Sequence, residues 1–178
     1  MTDSKLPEYE VTRTGRVSDA AVRADGANVG SIHAKGERVF MLESNRGSWL
    51  LDPRVHGEIR PFSMRISGIG TSAPDLTIRN GVFFHDSRTY MMTGIPEDVH
   101  PKEHLLGRRY ISRLDNFPFS DLEGIDHETW GRLKRHRGVT VGTMERLRLD
   151  KLKVELAGEL EDIGLPLSAT AYLLYSTG

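Results

Sequence analysis

The sequence predicts an α+β fold: one β-rich domain of antiparallel hairpins with two or three short helices, preceded by a flexible N-terminal arm. Three observations predict it. Apolar and polar residues alternate over 152–156 and again over 165–173, the period of a strand with one buried and one wet face. Asn80-Gly81 stands between two apolar runs, and Asn-Gly accepts the positive φ of a type I′ hairpin turn. Two stretches begin at an Asp and end at a Gly, as capped helices do.

The elements follow in chain order. Residues 1–36 are polar, rich in Gly, Ala, Asp and Arg, with little periodicity. They read as the arm, with a short strand near Val29 to His33. The packed domain spans 37–178. Arg38 to Leu42 and Ser48 to Leu51 flank Ser44-Asn45-Arg46-Gly47, which predicts a hairpin. Glu58 to Ser67 reads as a strand, and Leu76 to Arg79 with Val82 to Phe84 as the Asn80-Gly81 hairpin. Asp98 caps a predicted helix over Val99 to Leu106, and Asp126 caps another over His127 to Arg137. Gly138 to Gly142 returns to strand character. The stretch 144–163 fits helix and strand spacing alike, and strand is favoured from Lys151 onward. Leu152 to Tyr175 then reads as a terminal hairpin turning at Glu161 to Gly164, the surface on which the rest packs.

Composition excludes several functions. The chain has 178 residues, 38% hydrophobic and 28% charged, with a formal net charge of −1. That length supports a real core, and near-neutrality removes any whole-protein pull on nucleic acid or lipid. The absence of cysteine removes disulfides, thiolate metal sites and cysteine nucleophiles. No apolar run approaches the ~20 residues of a spanning helix, and the N-terminus lacks the apolar core of a secretory signal. A cytoplasmic protein is expected.

Motifs that carry chemistry are few. His100-Pro101-Lys102-Glu103-His104 matches the inverted zinc-protease pattern. Pro101 fixes the helix start and leaves His100 at the cap, so no metal is expected there. Gly68-Ile69-Gly70 resembles a dinucleotide loop, but the chain runs on into a hairpin instead of a phosphate-facing helix. His56, His85, Asp86, Asp115, Asp121, Glu123, Asp126 and His127 are scattered acids and bases that no spacing selects. No catalytic residue or cofactor is assigned. The more informative feature is a basic helix end, Arg132, Lys134, Arg135 and Arg137. These four are the candidate contacts for an anionic partner, either lipid head groups or phosphate. Its bland alternative is a solvated helix face.

Val139 to Thr143, Leu152 to Leu156 and the acidic Glu161-Asp162 resemble the matrix proteins of plant-infecting rhabdoviruses, negative-strand RNA viruses. Leu6-Pro7-Glu8-Tyr9 is similar to their proline–tyrosine budding motif without its first pair of prolines, and their basic tail has no counterpart here. The resemblance implies a non-enzymatic structural protein of the virion. It would self-associate, contact the nucleocapsid or RNA, and line an anionic membrane surface. The alternatives are a small β-barrel enzyme or ligand-binding protein using His and Asp in a pocket, and a phage or bacterial accessory protein.

Overall fold

A computed structural model describes residues 8–16, 19–36, 38–55, 58–59, 63–70, 75–79, 81–86, 88–92, 110–117, 139–148 and 151–176. The chain forms β1 (Glu8–Arg13), β2 (Ala20–Ala24), β3 (Ala27–Gly36), β4 (Val39–Ser44) and β5 (Gly47–Asp52). A two-stranded flap of β6 (Arg54–Val55) and β7 (Glu58–Ile59) precedes β8 (Met64–Ile69). Then come β9 (Leu76–Ile78), β10 (Val82–His85), β11 (Arg88–Met92), β12 (Tyr110–Phe117), β13 (Val139–Arg148) and β14 (Lys151–Leu156). A 3-10 turn, Gly158–Ile163, leads into one α-helix, α1 (Gly164–Ser176).

Twelve strands make one antiparallel sheet in the order β10-β11-β12-β13-β14-β1-β2-β3-β4-β5-β8-β9. Every neighbour is the next main-sheet strand in sequence, except where β1 pairs with β14, Tyr9 opposite Val154. The two ends of that order, β9 and β10, are joined through Gly81 and a bridge from Arg79 to Val82. The sheet is therefore a nearly closed up-and-down barrel, an architecture that leaves little unpaired edge. Gly81 is required at this seam. Its φ is +85°, and a Cβ there would lie 2.6 Å from the Met92 carbonyl oxygen, closer than real contacts permit.

The inward residues of each strand form one core: Tyr9 and Val11, Val22, Ile32, Leu42, Trp49 and Leu51, then Leu152, Val154 and Leu156. On the β10–β11 hairpin the rings of Phe83 and Tyr90 stack at 5.2 Å. The centre of this core is α1. Every residue from Ile163 to Leu173 is buried, on all sides of the helix, so α1 runs inside the barrel. Thirteen residues at ~1.5 Å each span about 20 Å, the length of a six-residue strand at ~3.3 Å per residue. Helix and wall thus match in height.

Two sequence expectations are corrected. The expected terminal hairpin is a strand followed by a helix. Its first arm is β14, but 165–173 is helical. The alternation misled because the intervening polar residues, Ser168 and Thr170, are buried too. Ser168 meets its hydrogen-bonding need by donating to the Gly164 carbonyl, 2.7 Å away, so a small hydroxyl sits inside a helix without water. Second, the expected arm over 1–36 contains β1, β2 and β3, which belong to the barrel. The β-rich antiparallel sheet stands as expected, and the described residues hold one α-helix and one 3-10 turn. The predicted helices over 99–106 and 127–137 lie outside the described residues.

Candidate functional site

Two regions of the barrel gather chemistry-bearing side chains. The first is where the chain turns inward. The 3-10 turn is tied to the β10–β11 hairpin by three side chains of that hairpin. Tyr90 donates its hydroxyl proton to Glu159 Oε2 at 2.7 Å, and Arg88 Nη1 donates to the same oxygen at 2.8 Å. His85 Nε2 lies 2.9 Å from Asp162 Oδ1 and 3.5 Å from Asp86 Oδ2. The imidazole is buried while both carboxylates are exposed. Burial, and then the Glu159 carboxylate, push the Tyr90 hydroxyl up to about 12. A charged phenolate would lose water and face a negative neighbour.

A metal ion has a possible seat here, since one ligand atom each from His85, Asp86 and Asp162 lie within 4.8 Å of one another. The same geometry is a complete hydrogen-bonded histidine–carboxylate pair. Tyr9 completes the inward turn from the opposite wall. Its hydroxyl packs against Gly164, where a Cβ would lie 2.7 Å from Tyr9 Oη. Burial raises the Tyr9 pKa, and the nearby Arg46 guanidinium opposes that rise.

The second feature is the distribution of charge between the barrel's two rims. The upper rim holds the inward turn. Glu8 and Glu155 lie at its β1–β14 seam, Asp25 and Glu43 at the β2–β3 and β4–β5 turns, and Asp75 and Asp86 beside β9 and β10. The 3-10 turn adds Glu159, Glu161 and Asp162. Arg23, Arg46, Arg88 and Lys153, whose ammonium lies 3.1 Å from Glu155 and 3.8 Å from Glu8, are the upper cations, so nine acids against four bases leave −5 among these described side chains.

The lower rim is the reverse. Arg13 and Arg16 flank the β1–β2 connection, Lys35 and Arg38 the β3–β4 turn, and Arg54 and Arg65 the β5–β8 connection. Arg79 and Lys151 follow at β9 and β14. With Asp19, Asp52 and Glu10, which lies 3.5 Å from Lys151 Nζ, as the acids, eight cations against three leave +5. Asp52 is locked within this rim. It accepts from Arg54 Nε at 2.9 Å and Nη2 at 3.0 Å, and from the Arg54 backbone N–H at 2.9 Å. The Arg54 bonds hold its carboxyl below the usual range against the opposing effect of burial. The connections 93–109 and 118–138 carry three acids with three bases and four acids with four bases. Their formal charges cancel.

Sequence reasoning reached part of this. His85 and Asp86 are brought together with Asp162, while Asp115 sits apart and accepts from Thr140 Oγ1 at 2.9 Å. Gly68 closes the β8–β9 connection, its N–H donating to Asp75 Oδ1 at 3.0 Å, and β9 follows as a strand. The candidates Arg132, Lys134, Arg135 and Arg137 lie outside the described residues, as do His56, His100, Glu103, His104, Asp121, Glu123, Asp126 and His127. The rim charges were missed because they are distant in sequence. No protein-family model, curated protein or solved structure matches this chain. Among the described residues no helix is long and apolar enough to cross a membrane.

Proposed function

We propose that the protein is a non-enzymatic structural and assembly protein, working in the manner of a viral matrix protein. It self-associates and meets an anionic membrane surface or a ribonucleoprotein through its outer surface. The observation that supports this reading is the filled interior. Barrels of this kind commonly bind small ligands inside, whereas here α1 occupies that space with buried side chains from Ile163 to Leu173. Function then falls to the rims and the outer wall. The cationic lower rim supplies an anionic partner with a described surface in addition to the 132–137 cluster.

Cosedimentation with anionic liposomes and with RNA tests the reading. The wild type should pellet with at least one of them, more strongly at ~0.01 M than at ~0.15 M ionic strength, where the Debye length falls from about 30 to about 8 Å. The R132E/K134E/R135E/R137E variant measures the share of the 132–137 cluster. Binding to neither partner at either salt refutes the anionic-partner reading.

The runner-up, an enzyme or ligand-binding protein using His and Asp, draws on the His85–Asp86–Asp162 cluster. Saturable binding of a divalent cation, lost in His85→Gln, would favour it.

A further inference from the structure

We infer that copies of this chain associate head to tail, the cationic lower rim of one barrel docking on the acidic upper rim of the next. The inference rests on the self-associating reading and adds the interface, its polarity and its stoichiometry.

The rims carry +5 and −5 among described side chains, in a chain whose formal charge is −1. They stand roughly 15–20 Å apart, the rise of a six-residue strand with tilt allowed for. That is about two Debye lengths at physiological ionic strength, so each rim presents its own sign instead of the near-zero average. Two upper rims would repel each other, and so would two lower rims. Only the unlike pair attracts, which makes the contact heterologous. A heterologous contact that does not close into a ring propagates. Exposure fits this use. Arg16, Lys35 and Arg38 on one rim, and Glu43 and Glu161 on the other, are all exposed.

The available area sets the strength. Twelve strands about 4.8 Å apart and tilted by ~40° enclose a circle roughly 24 Å across, or about 30 Å with side chains. A rim therefore offers on the order of 500–700 Å² per partner, at the low end for specific complexes. The assembly is accordingly reversible and dependent on concentration and salt.

Sedimentation velocity and light scattering test the proposal with two reversal variants at rim positions. R16E/K35E/R38E brings the lower rim from +5 to −1, and E8K/E43K/E161K brings the upper rim from −5 to +1. Near-ultraviolet circular dichroism and thermal melts establish that each is folded. At ~0.01 M ionic strength the wild type should form an open-ended series of oligomers that grows with concentration. Its association constant should fall about tenfold or more at ~0.15 M. Each variant alone should be monomeric. An equimolar mixture should form a discrete one-to-one dimer and stop there, because one intact upper rim and one intact lower rim remain.

A wild type that is monomeric at both salts overturns the inference. So does association that survives in either variant alone, and so does a mixture that stays monomeric. Oligomers unaffected by both variants would place self-association elsewhere on the surface, leaving the assembly reading standing without this interface. Loss of liposome and RNA binding in an otherwise assembling wild type would strike the anionic-partner reading alone.

Discussion

Thr170 lies on α1, fully buried, and its hydroxyl finds no hydrogen-bond partner among the described residues. An unpaired buried hydroxyl costs about 1–3 kcal/mol. Valine has nearly the same shape without the polar group, so Thr170→Val should raise stability by about 1–2 kcal/mol. For a chain of this length each kcal/mol moves the melting temperature by roughly 2–4 °C. Thr170→Lys at the same site places a long charged side chain inside the barrel. Its burial costs several kcal/mol at least, comparable with a total stability of about 5–15 kcal/mol, so that variant should not fold. Urea titration followed by circular dichroism measures both. If 165–173 were the outer arm of a hairpin, Thr170 would face water and both changes would stay within about 0.5 kcal/mol. That result would refute the enclosed helix. A destabilised Thr170→Val would instead show that the hydroxyl is bonded.

Gly81→Ala should destabilise by about 2 kcal/mol or more, because it adds positive-φ strain to a clash with the Met92 carbonyl, and faster hydrogen exchange in β9 and β10 would report the opened seam. Val154→Asp should unfold or aggregate the protein, since Val154 is buried in the core, and a soluble variant with a cooperative melt would contradict that burial. The Asp52 carboxyl is held low by Arg54, so its contribution is present above the ordinary Asp range and lost as pH falls through the lowered value. Asp52→Asn should flatten the acid side of the stability profile by that amount. Tyr90 is raised to about 12, so its contribution is intact below the ordinary tyrosine value near 10 and fades between about 10 and 12. Phenolate absorbance should show late-titrating tyrosines, Tyr9 and Tyr90, and the late amplitude should fall in Tyr90→Phe.

Local chemistry determined a good part of this protein. Asn80-Gly81 specified the turn between β9 and β10, and Ser44 to Gly47 the turn between β4 and β5, because left-handed backbone is accessible to few residue types. The alternation of Leu152, Val154 and Leu156 with charged residues specified β14, one face inward and one outward. Asp25-Gly26, with φ of 50° and 84°, carries the same type of hairpin signal and was passed over inside a stretch read as a flexible arm. The strands beside it, β2 and β3, keep few large apolar residues, since their outer faces meet water.

Tertiary structure decided the rest. Residues 165–173 alternate as a strand does, yet fold as a helix, because inside a closed barrel neither face is wet and alternation loses its meaning. Closure itself depends on β1 meeting β14, a pairing between chain segments some 140 residues apart that no local pattern encodes. The two charged rims arise in the same way. Arg16, Lys35 and Arg38 share a rim, and Glu8, Glu43 and Glu161 share the other, because antiparallel neighbours send alternate turns to opposite ends of the barrel. A sequence with net charge −1 records the total of those charges, and only the strand order separates them by sign.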